Sequence, residues 1–225
     1  MAHRILVVVA HSDDETLGCG ATLRRHATDG DEVFALHLTD GIGARLDQDD
    51  ELTTDRVKSS EAAASILGFK WIQRGTFPDN RLDSIPLLEV VKFIESAKQS
   101  IQPDLVYTHN GSDLNIDHRV AFQATLTAFR MLSGEVCTEI RTFEVPSSTE
   151  WSDIQIASTF IPELFVCAES TWDAKVQALH SYEKELRAFP HPRSVVGIDA
   201  LSRFRGMQSG LMRAEAFRTV RRITR

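Results

Sequence analysis

Cysteine is scarce in this sequence. Cys19, Cys137 and Cys167 are odd in number and widely spaced among 225 residues, and none belongs to a C-x-x-C pair. That excludes a disulfide framework and a cysteine zinc cluster, and it suits a reducing compartment. Long apolar runs are missing too: Ile5 to Ala10 is only six residues, far below the ~18 of a membrane span. An acidic pair follows that run closely, which does not suit a secretory leader. Basic charge is the minority, 25 Lys+Arg against 32 Asp+Glu for a net −7, with a pI near 5.6. Such a balance gives no general attraction to nucleic acid or to an anionic membrane. Repeats, low-complexity tracts and linkers are also lacking. The expectation is a soluble cytoplasmic protein with no nucleic-acid or membrane partner, and with homo-oligomer formation left open.

What is present is an ordinary globular mixture, 42% hydrophobic and 25% charged. It excludes a disordered chain, a collagen-like repeat and a coiled coil. The length corresponds to about one and a half typical domains, enough to bury a core without disulfides or a structural metal.

Two periodicities alternate along the first half. Ile5 to Ala10 reads as a strand buried on both sides. A helix carrying Gly18 and Gly20 follows, passing Leu23 and stopping at Asp29-Gly30. Val33 to Leu38 is a second strand, ended by Thr39-Asp40-Gly41, and Asp55 to Leu67 is a helix closed by Gly68. Phe69 to Ile72 reads as a third strand, Leu87 to Ala97 as a helix, Pro103 to Tyr107 as a strand and Asp117 to Leu132 as a helix. This alternation predicts βαβ units, right-handed crossovers and a parallel sheet.

Beyond residue 135 the pattern loosens. Short strands are expected at Ile140 to Val145, Ala157 to Ile161 and Phe165 to Cys167, one of them antiparallel at an edge. A helix is expected over Trp172 to Leu186 and a non-helical segment over Phe189 to Ser194. The arginine-rich tail from Arg213 reads as a solvated face. The predicted fold class is α/β, a Rossmann-like, mainly parallel sheet flanked by helices. A single domain spans 1–225, with the core and metal site in 1–135 and a smaller elaboration forming a substrate wall in 136–225.

Sheets of this kind bind ligands beyond the carboxyl ends of their strands. There the sequence places His11-Ser12-Asp13-Asp14-Glu15, and later His109-Asn110 and Asp113-Leu114-Asn115-Ile116-Asp117-His118-Arg119. A hydrolytic zinc site needs three protein ligands and one open position. His11 and Asp14, three apart on a strand-to-helix turn, can face one ion, and His118 can supply the third ligand from the second loop. Asp13 points elsewhere and is free to take a proton from a metal-bound water. Each cluster alone has a plainer reading, Asp14 as a helix N-cap and His118 as a helix-start histidine. Two clusters at two strand ends favour the metal. A nucleotide-binding loop is disfavoured because Gly18-x-Gly20 lacks a third glycine, position 23 being Leu.

Val7 to Gly20, containing Ala10-His11-Ser12-Asp13-Asp14-Glu15, resembles the A-H-P-D-D-E-x-x-G-x-G signature of the PIG-L/LmbE-type N-deacetylases. Thr39-Asp40-Gly41 is similar to that family's next loop, and Asp117-His118-Arg119 to the end of its H-P-D-H motif. The first 135 residues carry the resemblance well, the remainder loosely. It implies zinc-dependent removal of an acetyl group from an N-acetylglucosamine-type sugar or conjugate. It further implies His11, Asp14 and His118 as metal ligands, Asp13 as general base and Asp117 as a carboxylate orienting an imidazole. Arg56, spaced from Leu67-Gly68 as in the family's R-x-x-E…L-G helix, is implied as a substrate contact. Fe2+ in place of Zn2+ is compatible with His/Asp ligands.

The chain departs from the family's pattern in three places. Ser12 replaces a proline and Ser59 a glutamate; neither is expected to touch the chemistry. Asn115 stands where the family often has a histidine. Asparagine can hydrogen-bond an oxyanion but carries no proton. The missing acid is then Asp13 acting twice, or a histidine from elsewhere, His109 or His191, the latter held between two prolines. Asp79 and Asn80, on a turn at the same edge, are candidates for sugar hydroxyls, and Trp151 for a sugar wall. The alternatives are a metal hydrolase of another bond in a small glycoside or phosphate substrate, and a non-enzymatic sugar- or nucleotide-binding module.

Overall fold

The apolar run near the start forms β1 (Arg4–Val9), whose alternate side chains enter opposite faces of the sheet. Ile5, Val7 and Val9 join one core; Leu6 and Val8, with Ala10 just beyond the strand, join the other. Because both faces are covered, no polar residue interrupts the run. The structure, a computed structural model, describes residues 2–41, 50–153 and 158–224.

From β1 the chain continues through α1 (Asp14–Thr28), β2 (Glu32–Thr39), α2 (Asp50–Leu67), β3 (Lys70–Phe77), α3 (Leu87–Ile101), β4 (Leu105–His109) and α4 (Ile116–Ala128). It ends with β5 (Glu139–Phe143), β6 (Leu164–Cys167), α5 (Trp172–Ser181), α6 (Val195–Ser209) and β7 (Ala214–Arg222). The sheet order is β3-β2-β1-β4-β5-β7-β6. The first five strands are parallel, and β7 runs antiparallel to both β5 and β6. One core is built from α1, α2, α5 and Ile198 of α6, the other from α3 and α4. Strand order departs from β1 in both directions, so the ends of β1 and β4 flank the crevice where such sheets bind ligands.

Several expectations are corrected. β3 runs on to Phe77 because its pairing with β2 continues to Thr39. α4 stops at Ala128, and the helix from Trp172 stops at Ser181 before a 3-10 turn at Glu183–Glu185. No strand forms over 158–161, and Ala157 lies outside the described residues. The sequence reading missed α6. The arginine-rich tail is not a solvated face: it is β7, an interior strand of the sheet, with Ala214 to Phe217 buried and the exposed arginines confined to its second half.

The buried part of β7 also completes α1. That helix breaks at Cys19 (φ −141°), which interrupts its hydrogen-bond ladder. Glu215 of β7 accepts from the backbone N–H groups of Ala21 (3.0 Å) and Thr22 (2.7 Å). Lys175 of α5 donates to Leu17 O (2.9 Å) and to Glu215 (2.6 Å). A buried ion pair thus supplies the partners for amides and a carbonyl around the break. Gly18 lets this part of α1 lie against β5, since a Cβ there would stand 2.2 Å from the Phe143 ring.

Candidate functional site

β1 ends into the turn His11-Ser12-Asp13, and α1 starts at Asp14. The Asp14 carboxylate closes that turn by accepting the His11 backbone N–H at 2.9 Å. Across the crevice, Asn115 caps α4 by accepting the Asp117 N–H at 2.8 Å, which fixes His118 in the first helical turn. Asp14 Oδ2 lies 3.1 Å from His11 Nδ1 and 3.4 Å from His118 Nε2. His11, Asp14 and His118 each offer one ligand atom within 4.8 Å of the others. Asp14 Oδ1 and His118 Nε2 are buried without a hydrogen-bond partner. Two imidazoles, a carboxylate and orphaned buried atoms of ligand type fit a divalent cation.

The electrostatics agree. Burial opposes charge on Asp14, yet His118, His109 and His11 hold its carboxyl well below the usual range. Burial likewise opposes charge on His118, but Asp14 and Asp113 lift it to about 9. Without a cation, these groups must neutralise one another.

Around the trio stands a supporting layer. Asp117 Oδ2 lies 3.2 Å from His11 Nε2, and its two oxygens accept the N–H groups of Asn80 (2.7 Å) and Leu82 (2.9 Å). Asp79 Oδ1 is closer still to His11 Nε2, at 3.0 Å. His11, Asp79 and Asp117 also meet the geometric requirement for a metal trio. Asp117, spent on backbone amides, reads as a brace for the imidazole and not as a ligand. Asp113, which sequence reasoning left without a role, places Oδ1 3.2 Å from His118 Nδ1 and is itself gripped by Ser148 and Thr149. Its signal was present in the acidic cluster, but its hydroxyl partners come from 35 and 36 residues away.

Asp13 is 3% exposed and lies between two arginines, Arg193 Nη1 at 3.3 Å and Arg56 Nη2 at 3.6 Å. Burial and the Asp14 charge raise its pKa, against the pull of Arg193 and Arg56. Arg56 also binds Glu185 at 2.8 Å, and its Nε donates to Ser12 Oγ at 3.1 Å. Ser12 therefore does touch the site, correcting the expectation that this departure is silent. Gly41, of the Thr39-Asp40-Gly41 loop, makes room for Arg56: a Cβ there would meet Nε at 2.6 Å. Asp13, Arg56, Asn80, Asn115, Arg187 and Arg193 are among the groups lining a cavity of about 200 Å³.

Of the two histidines considered as the missing acid, His109 sits beside Asp14, with Nε2 3.4 Å from Asp14 Oδ2, and His191 lies off the cavity. His109 is fully buried, stacked on His118 at 3.9 Å, and its Nε2 accepts the Ala10 N–H at 2.8 Å. Burial and His118 push its pKa down to about 4. His191 is not among the residues lining the cavity; its Nδ1 accepts the Arg193 N–H and its ring meets Trp151 at 5.7 Å. Its neighbour Arg193 reaches Asp13 instead. Trp151 is likewise not part of the cavity lining. Asn80 (φ 54°) and Asn115 do line it, joined by the Asn115 Nδ2 to Asn80 Oδ1 bond of 3.2 Å.

Comparison with known proteins agrees with this geometry. The family described as "PIG-L: GlcNAc-PI de-N-acetylase" matches residues 6–129. The chain is 30% identical over 185 residues to the uncharacterized deacetylase YaiS of Escherichia coli K12, covering 80% of this chain and 90% of that protein. The fold is shared with N,N'-diacetylchitobiose deacetylase from Pyrococcus horikoshii (TM-score 0.80, 21% identity, 98% and 84% of the two chains). It is shared equally with GalB, the 4-carboxy-2-hydroxymuconate hydratase of Pseudomonas putida KT2440 (TM-score 0.77, 21% identity, 98% of both chains). These two structures show the architecture alone, whereas the family match spans His11, Asp14 and His118. The chain belongs to the PIG-L family of de-N-acetylases.

Proposed function

We propose that this protein is a metal-dependent hydrolase that removes an acetyl group from an N-acetylated amino sugar or sugar conjugate. The observation that carries the reading is Asp13: a buried carboxylate of raised pKa, beside the His11/Asp14/His118 trio and on the wall of the cavity. His11, Asp14 and His118 would hold a divalent cation, zinc by preference and Fe2+ as the other fit, which when bound would supply Lewis acidity for the acyl carbonyl and lower the pKa of water. The protein's own groups do the rest. Asp13 accepts a proton from the attacking water and returns it to the departing amine, and the raised pKa suits a group that must both take and give a proton. Arg193 and Arg56 hold Asp13 in place. Asn115 uses one N–H on Asn80 and has a second N–H for the developing oxyanion.

Asp13 acting twice supplies the acid that Asn115 cannot, and neither His109 nor His191 is needed. The wall formed by Glu185, Arg187 and Arg193 comes from residues 136–225, which suits their reading as the substrate-selecting part of a single domain. No helix among the described residues is long and apolar enough to cross a membrane. The small-molecule reading is supported by the diacetylchitobiose deacetylase that shares the fold. The test is acetate release from a panel of N-acetylated amino sugars. Activity lost on chelation and restored by zinc is the expected result; no release from any acetamide by the zinc-loaded protein overturns the reading.

A further inference from the structure

The segment from Arg187 to Arg193 folds back on itself, with the Arg187 N–H approaching Arg193 O at 3.5 Å. Both arginines consequently line the same cavity. Like charges on one wall cost energy unless anions are shared among them. Arg193 has such a partner in Asp13, and its Nε donates to Ser147 Oγ at 2.8 Å. Arg56 is divided between Glu185 and Asp13. Asp79, the remaining carboxylate of the cavity, stands against His11. Arg187 is left over: its Nη1 donates to the carbonyls of Lys184 (3.0 Å) and Leu186 (3.3 Å). Among the described residues no carboxylate lies within ion-pair distance of it.

Depth along the cavity gives the arrangement a direction. Asp13 is buried at the inner end, whereas Arg187 is exposed at the mouth. A guanidinium fork matches the oxygens of a carboxylate or phosphate. The lining holds three arginines and three carboxylates, and Arg187 is the arginine of the three that no carboxylate of the lining meets, so it is the cation open to an approaching anion. We propose that Arg187, with Arg193 beside it, binds a compact oxyanion carried by the substrate on the side away from its acetamide. This rests on the deacetylase reading and narrows it: the substrate is an anionic N-acetyl sugar conjugate, bearing a carboxylate or a phosphate.

The test uses three ligands in which a methanesulfonamide replaces the acetamide, so that none is hydrolysed: a neutral methyl glycoside, its carboxymethyl counterpart and the sugar 1-phosphate. Their binding to the zinc-loaded protein and to Arg187→Gln is measured by calorimetry. At least one anionic ligand is expected to bind about tenfold tighter than the neutral one, the scale of a charge-assisted hydrogen bond. In Arg187→Gln that ratio should fall to within about twofold, with Arg187→Lys intermediate. The two anionic arms tell carboxylate from phosphate. Equal affinities in the unaltered protein, a preference that survives Arg187→Gln, or no binding of either anion overturns the proposal. Acetate release from the parent acetamides is scored separately. Its failure strikes the deacetylase reading, while the binding ratios still decide the oxyanion site.

Discussion

Asp113 Oδ1 stands 3.2 Å from His118 Nδ1, and neither residue has any exposed surface. The Asp113 carboxylate is fixed in turn by Ser148, by Thr149 and by the Asn115 N–H at 2.9 Å. It aims the far nitrogen, Nε2, toward Asp14. Replacing Asp113 by Ala should lower zinc affinity about 10- to 100-fold, the usual effect of losing a carboxylate behind a ligating histidine. Competition with a chromophoric chelator measures this, and an unchanged affinity removes Asp113 from the metal site.

Asp13→Ala separates holding the metal from using it. The variant should retain stoichiometric zinc, because His11, Asp14 and His118 are untouched. Acetate release should drop by about 10²- to 10⁴-fold, the range for a positioned acid–base group. Metal analysis alongside a rate assay checks both halves, and a near-normal rate would dismiss Asp13 as the base.

Removing the cation should also lower thermal stability. Zinc at about a thousand times its Kd contributes about 4 kcal/mol to the folded state. For a chain of this size each kcal/mol moves Tm by about 2–4 °C. Thermal unfolding with and without chelator should show a drop of this order, reversed by zinc. An unmoved Tm would mean that no cation binds the folded chain tightly.

His37 predicts a pH dependence of stability. Burial first, with the charges of Arg74 and Arg56, pushes its pKa down to about 4 from an ordinary 6.5, and its Nδ1 donates to Thr39 O. Between those values the unfolded chain binds a proton that the folded chain refuses. Stability should therefore fall as pH drops below the ordinary histidine value and level off below the depressed one. The limit of this contribution is about 3 kcal/mol. Denaturant unfolding of the protein and of His37→Gln at neutral and mildly acidic pH reads the difference; equal acid sensitivity would contradict it.

The Lys175–Glu215 pair is the remaining target. Glu215→Ala strands a buried ammonium and two helix amides, and should cost about 3–5 kcal/mol in denaturant unfolding. Replacing both partners with apolar side chains should cost less than the sum of the single changes. Strict additivity would show that the two side chains do not act together.

That His11, Asp14 and His118 would come together, with Asp13 beside them, was legible because it depends on local geometry: a three-residue step on a strand-to-helix turn, and a histidine one position after Asp117. The parallel half of the sheet was legible for a similar reason, since β1 is an unbroken apolar run from Ile5 and β2 is interrupted inside its apolar stretch by His37 alone. The rest depends on approaches that no spacing encodes. Arg193 meets Asp13 from 180 residues away, by way of a folded-back loop, while the more suggestive His191 beside it turns to Trp151. Family resemblance singled out Arg56, which lines the cavity, but gave no hint that it would donate to Ser12. β7 was hidden because its arginines suggested solvent, although Ala214 to Phe217 carry the burial of a central strand. In α6, Gly197 and Gly206 interrupt the helical signal.

The place of β7 in the sheet also constrains how the chain can fold. β6 precedes it in sequence, yet among the described residues β6 pairs only with β7, and β7 in turn joins it to β5. Leu164–Cys167 is thus joined to the sheet by a strand that lies beyond α5 and α6 in sequence. The same strand delivers Glu215 to the break in α1. The strand that seats β6 in the sheet therefore also carries the carboxylate that bridges the break in α1, so one long-range element ties the far edge of the sheet to the helix behind Asp14.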